Sequence, residues 1–162
     1  MIWYVAYGSN MSAERLACYL AGGRPVGGLK SFAGARDPSP PRQCKPITLP
    51  GSVFFAGDSQ TWGGGRAYYD PTVPGATPAV AYLITTEQFD DIRAQEPPVY
   101  DRLLEVGTLD GLRMLTFTSR LAKNEVPQTK PVQAYVRTMA HGLRQAHGWT
   151  ETQIERYLNT II

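Results

Sequence analysis

Histidine and cysteine are nearly missing from this 162-residue sequence, which has only His141 and His147, and only Cys18 and Cys44. So few imidazoles and thiols weigh against a zinc enzyme and against a Ser–His–Asp hydrolase. The two histidines are six positions apart, which does not bring them to one helix face for a metal, and both are expected at the surface. Neither a metal nor an organic cofactor is expected. Two cysteines permit one disulfide by number, but free thiols are the expectation in a reducing compartment. No segment approaches the ~18–20 apolar residues of a membrane-spanning helix. The first residues, Met1-Ile2-Trp3-Tyr4, have neither the basic region nor the apolar core of a signal peptide. The expectation is a cytoplasmic protein that engages no membrane. Net charge is also scant, with 16 Lys and Arg against 14 Asp and Glu for a balance of +2, so there is no electrostatic footprint for nucleic acid.

Glycine and proline are abundant, at 16 and 13 residues. That many breakers predicts many turns and argues against a helical bundle. A hydrophobic fraction of 43% with 19% charged residues is globular composition. The length suits one domain spanning residues 1–162.

Residues 2–7 form an apolar run rich in β-branched and aromatic types, which predicts a strand. Gly8-Ser9-Asn10 stops it, and Ser12 can cap a helix over 13–20 with Leu16, Ala17 and Leu20 on one face. Residues 21–51 are dense in breakers; a strand near 28–32 is followed by a Pro-rich ordered loop or lid. Further strands are predicted at 52–56, 65–69 and 79–84, then a helix over 87–95 capped by Thr85 or Thr86 and stopped by Pro97-Pro98. Strands at 101–109 and 112–118 are joined by Asp110-Gly111, a strong hairpin signal. Helices follow at 132–147 and, capped by Thr150, at 151–161. Strands clustered between helical segments predict an α+β domain with a largely antiparallel sheet that can close.

Two features can carry chemistry. At Tyr7-Gly8-Ser9-Asn10 a strand feeds a glycine turn at a helix start, which points backbone N–H groups at one spot suited to a carboxylate or a developing oxyanion. The plain alternative is that Ser9, Asn10 or Ser12 only caps the helix and Tyr7 belongs to the core. The second feature is Glu96, which lies seven residues after Phe89 and four after Ile92, and so on the inward face of its helix. Desolvation and the helix C-terminal dipole would both raise its pKa toward that of a general base or acid. The alternative is a frayed helix end in solvent. Weaker features are Gly63-Gly64-Gly65, which lacks the Lys-Ser or Lys-Thr of a phosphate loop and reads as a hairpin turn or bulge, and Cys18, which reads as core. Cys44 beside Lys45 reads as a slightly acidic thiol, and Arg36-Asp37 as a solvated turn, with a lid ion pair or a substrate contact as the alternatives.

Taken together, Tyr7-Gly8-Ser9-Asn10 at the end of a first strand, a helix ending Asp91-Ile92-Arg93-Ala94-Gln95-Glu96, and Tyr100-Asp101-Arg102 entering the next strand resemble the gamma-glutamylcyclotransferase-like superfamily. The segment Ser59-Gln60-Thr61-Trp62-Gly63-Gly64 and the late stretch through Tyr135, Gly142 and Gly148 are similar to that family's layout, so the resemblance runs from residue 2 to about 160. Two departures bear on the site mouth: Pro97 stands where a glycine usually follows the glutamate, and the Pro-rich insertion over 37–50 is atypical.

The resemblance implies a small mixed, largely antiparallel β-barrel with flanking helices. It also implies a cavity with the Tyr7–Asn10 loop on one side and Glu96 on the other, to which Tyr135 and Tyr100 can add hydroxyls. The implied reaction is intramolecular: the α-amine of a small γ-glutamyl amide attacks its own γ-carbonyl, closing 5-oxoproline and releasing an amine or amino acid. Glu96 would be general base and acid, with Tyr7, Gly8, Ser9, Asn10, Tyr100 and Tyr135 binding substrate. Such a reaction needs no catalytic Ser, Cys or His. Two further expectations are a non-catalytic small-molecule binder on the same fold, and removal of a γ-glutamyl group from a larger secondary-metabolite amine. The sequence assigns no oligomeric state.

Overall fold

The structure, a computed structural model, describes residues 1–162. The chain runs β1 (Ile2–Ala6), a 3-10 turn (Ser9–Met11), α1 (Ala13–Ala21), β2 (Gln43–Pro50), β3 (Ser52–Ala56), β4 (Arg66–Asp70) and β5 (Ala76–Ile84). It continues through α2 (Thr86–Gln95), β6 (Arg102–Leu109), β7 (Leu112–Thr118), a second 3-10 turn (Lys123–Glu125), α3 (Gln133–His147) and α4 (Glu151–Ile161).

A five-stranded mixed sheet has the order β2-β5-β1-β7-β6. The first strand is its centre, antiparallel to β5 and parallel to β7. That position explains its unbroken apolar run: both faces are covered, so every residue from Ile2 to Ala6 is buried. The Asp110-Gly111 hairpin forms between β6 and β7 with both residues at positive φ, 50° and 77°, the conformation a two-residue turn demands.

The expected closed barrel is not found. Hydrogen bonding ends at β2 and β6, and β3 and β4 pair only with each other. The tie from β4 to β7 is a side chain, with the Tyr69 N–H donating to Thr118 Oγ1 at 2.9 Å, rather than a backbone ladder. The predicted strand at 28–32 is also absent; only a single bridge joins Gly23 to Phe32.

Its place in the sheet is taken by β2, which lies inside the stretch expected to be a loop. Pro46 and Pro50 concealed it, but an edge strand tolerates residues that cannot donate to a neighbour. The legible signal was alternation, since Lys45, Ile47 and Leu49 are less exposed than their neighbours.

The Pro-rich segment before β2 is not a lid. Three residues of α2 hold it: Gln88 donates to the carbonyls of Asp37 and Ser39, Asp91 accepts from the Arg36 backbone and guanidinium, and Gln95 accepts from the Gly34 N–H. Arg36 thus pairs with Asp91 at 3.0 Å and Glu87 at 3.5 Å instead of Asp37.

Helix termini follow their cues. Ser12 caps α1, and Thr85 and Thr150 form capping boxes with Gln88 and Gln153. Ala17 is exposed, however, and the buried side of α1 carries Arg15, Leu16, Cys18, Tyr19 and Leu20. No helix is long and apolar enough to cross a membrane.

Candidate active site

The first strand ends against a cavity of about 90 Å³. All seven residues singled out from the sequence line it: Tyr7, Gly8, Ser9, Asn10, Glu96, Tyr100 and Tyr135. Two arms bring them together. One is the 3-10 turn, whose own hydrogen bonds start with the Met11 N–H donating to the Gly8 carbonyl, which leaves the amides of Ser9 and Asn10 ahead of the first bond. The other is the end of α2.

Glu96 is the cap residue that terminates α2, with extended φ −79° and ψ 152°. Pro97 requires this, because a proline ring excludes the helical region for the residue before it. Pro97 therefore turns the Glu96 backbone out of the helix at the point where its side chain meets the cavity.

Glu96 opens on the cavity and is half-buried as a residue. Burial raises its pKa. The Arg15 charge, a Tyr19 hydroxyl hydrogen bond, the Asn10 amide and Lys30 act in the opposite direction without cancelling the rise. Asn10 Nδ2 donates to Glu96 Oε1 at 3.5 Å and to the Tyr4 hydroxyl at 2.9 Å.

The tyrosines divide by what their hydroxyls already do. The Tyr7 hydroxyl donates to the Phe117 carbonyl at 2.8 Å, so it braces the strand end. Tyr100 donates to the Ala67 carbonyl at 2.8 Å. Tyr135 Oη accepts from the Ala67 N–H at 3.3 Å, which leaves its own proton free to donate, and a Cβ placed on Gly8 would lie 3.1 Å from it. Burial pushes the Tyr135 hydroxyl up to about 12, so it stays protonated at neutral pH.

Several lining residues escaped the sequence reading: Tyr4, Arg15, Tyr19, Lys30, Trp62 and Arg66. Arg15 is 4% exposed. Its guanidinium carbon lies 4.2 Å from the centre of the Tyr19 ring and 4.7 Å from that of Phe32. The i, i+4 spacing of Arg15 and Tyr19 was the one local hint.

The weaker features find other roles. All three amides of Gly63-Gly64-Gly65 are spent inside the protein, on the Ser59 carbonyl, the Asp58 carboxylate and the Lys130 carbonyl, so no phosphate cradle exists. Cys44 is not an acidic thiol: burial raises its pKa, and the neighbouring Lys45 is paired with Asp110 at 2.5 Å. Cys18 is buried as expected, and both cysteines are free. His141 is exposed and pairs with Glu14, whereas His147 is half-buried with Nε2 2.9 Å from the Ala79 carbonyl, not a surface residue. No grouping of three or more His, Cys, Asp and Glu side chains suited to a metal is formed.

The fold is like that of a solved gamma-glutamyl cyclotransferase. The chain superposes on a solved gamma-glutamyl cyclotransferase with a TM-score of 0.69 at 17% identity, covering 99% of this chain and 88% of the other. An uncharacterized human protein gives 0.68 at 18% identity with the same coverage, and YkqA of Bacillus subtilis 0.65 at 20%, with 54% of that chain covered. At such identities the likeness establishes the fold. The sequence matches no family model. Among curated proteins, histone deacetylase 5 of Arabidopsis thaliana is 29% identical over 202 residues; the match takes in 99% of this chain, which spans 31% of that protein's length.

Proposed function

We propose that the protein cyclises a small γ-glutamyl amide to 5-oxoproline and releases the amine. The observation that carries this reading is the Glu96 carboxyl, desolvated and within one Asn10 amide of the Gly8–Asn10 turn in a shared cavity.

At neutral pH the substrate's α-amine is an ammonium. Glu96 removes one proton, and the freed nitrogen attacks the γ-carbonyl. A ring C–N bond forms while the carbonyl π electrons move to oxygen, and the Ser9 and Asn10 amides with the Tyr135 hydroxyl stabilise that oxyanion. Glu96 then gives that proton to the leaving nitrogen and takes the second from the ring nitrogen as the exocyclic C–N bond breaks and the carbonyl re-forms, and this second proton departs with the released amine as its ammonium. One carboxyl suffices because the protons travel between two nitrogens bonded to the same tetrahedral carbon. Holding amine and carbonyl in register supplies roughly 7–11 kcal/mol in well-oriented intramolecular reactions, so the protein needs no nucleophile of its own.

A larger secondary-metabolite amine gains no roomier mouth from the Pro-rich segment, which is held on α2 and lines no part of the cavity.

The test is a panel of γ-glutamyl amides with 5-oxoproline measured. Glu96→Gln is expected to lower kcat by roughly 10²–10⁴-fold while leaving the fold intact. Undiminished turnover in that variant rules out the mechanism, and ligand binding without product by the wild type would favour a non-catalytic binder.

A further inference from the structure

A groove of about 420 Å³ opens between α1, the loop that follows it and α3. Arg15 is the one residue it shares with the lining of the Glu96 cavity. Its volume is in the usual range of small-molecule sites, roughly 300–1,000 Å³. The loop wall is fastened by packing. Pro25 is buried, and its carbonyl accepts from the Gly28 N–H at 2.9 Å. The Leu29 N–H donates to the Thr61 carbonyl. Gly27, at φ 78°, approaches α3 so closely that a Cβ there would stand 2.8 Å from Ala134 Cβ. Arg24 and Val26 are left exposed on the rim, with Val26 94% exposed.

The lining carries three arginines, Arg15, Arg24 and Arg137, against one acid, Glu14. Glu14 is already engaged, with His141 Nε2 at 3.0 Å from its Oε2 and Gln145 Nε2 donating to its Oε1 at 3.2 Å. None of the three arginines enters an ion pair. The Arg15 charge acts on Glu96 across the smaller cavity, yet Arg15 Nε and Nη1 are buried and make no hydrogen bond. Like charges around one hollow repel each other, and an anion among them reverses the sign of that interaction. The planar N–H pairs of a guanidinium match the oxygens of a phosphate or a carboxylate. The remaining surface includes the side chains of Cys18, Val26 and Ala134, which suit an apolar body.

We propose that this groove is a second binding site, for a small organic anion. Its oxyanion head, a phosphate or a carboxylate, sits between Arg24 and Arg137, and its apolar body lies along Val26, Ala134 and Cys18. Arg15 at the shared wall adds its charge to the field on the head. The site goes beyond the cyclisation reading and stands whether or not the protein releases 5-oxoproline. Neither Arg24 nor Arg137 lines the Glu96 cavity.

Isothermal titration calorimetry of the full chain with phenyl phosphate, benzoate and the neutral benzyl alcohol tests the proposal. At least one of the two anions is expected to bind with Kd of about 1 mM or tighter, and the alcohol is not. The anion that binds more tightly identifies the head. An Arg24→Gln/Arg137→Gln double variant changes only exposed side chains. It is expected to weaken that binding by roughly 10–100-fold, the range of a charge-assisted hydrogen bond lost. Arg66→Gln, which alters only the lining of the Glu96 cavity of the two, is expected to leave the binding unchanged and so locates the anion. Failure of both anions to bind overturns the proposal, as does equal binding of the alcohol. An unchanged affinity in the double variant, or loss of binding in Arg66→Gln, overturns it as well. Because heat of binding is the readout, these outcomes are independent of whether γ-glutamyl amides are turned over.

Discussion

Gly142 in α3 lies against the turn that carries Ser9 and Asn10, and replacing it with alanine tests whether the site depends on that packing. A Cβ there would stand 2.4 Å from the Met11 carbonyl carbon, 2.6 Å from Met11 Cβ and 2.6 Å from the Ser12 nitrogen. Carbon contacts settle at about 3.5–4.0 Å, so helix and turn must part by roughly an ångström. Met11, Met139 and Leu143 are fully buried at this seam, and no flexible side-chain end is available to yield. Overpacking of this kind costs about 1–3 kcal/mol. With backbone atoms at two of the three contacts the upper part of that range applies, offset by up to ~1 kcal/mol from alanine's better helix propensity. A net loss of about 1–2 kcal/mol corresponds to a Tm lowered by roughly 2–8 °C for a chain of this size. The same displacement moves the Ser9 and Asn10 amides, and an ångström of misplacement can cost on the order of 100-fold in rate. Thermal unfolding followed by circular dichroism, with 5-oxoproline release on the refolded variant, reads both effects. A Gly142→Ala protein as stable as wild type and equally active would refute the argument.

Glu96 also leaves a mark on stability. Its folded-state pKa is raised by burial above the ordinary 4.5, so the folded chain holds a proton that the unfolded chain releases between those values. Stability from this group is therefore present at low pH and falls as pH rises from about 4.5 through the folded-state pKa. Urea titrations at several pH values should show that decline in wild type and a flatter profile in Glu96→Gln; identical slopes would mean the carboxyl is solvated. By contrast, Gln88→Ala removes the donor to the Asp37 and Ser39 carbonyls and the partner of the Thr85 cap. A loss of about 1–3 kcal/mol is expected from those unmade hydrogen bonds. Proteolysis should quicken in the Pro-rich segment with kcat unchanged, because that segment lines no part of the cavity, and a fall in kcat would show that it does shape the site.

Local chemistry was legible wherever the deciding neighbours are close in sequence. The central strand announced itself by an apolar run that only a strand covered on both faces can carry. Asp110-Gly111 specified a hairpin because few residue pairs accept two positive φ angles in succession. Glu96 was placed inward by its spacing from Phe89 and Ile92, although Pro97, the next residue, sets the backbone that delivers it. The edge strand was hidden because proline was read as a breaker, when its missing N–H is harmless on the side that has no neighbour. The barrel failed for a related reason: closure depends on which edges find partners, and no local pattern states that.

By itself, the order of residues determined the strand, the turn and the helix end that present Tyr7–Asn10 and Glu96, since backbone torsions and helix periodicity act over a few positions. Only the tertiary structure decided that Arg15 is buried against the rings of Tyr19 and Phe32 with its charge acting on Glu96, and that Tyr135 reaches the turn from α3. Burial and hydrogen-bond satisfaction are properties of surfaces that meet across the fold. An arginine on a helix is a solvated charge until Phe32 and Trp62, both distant in sequence, close over it.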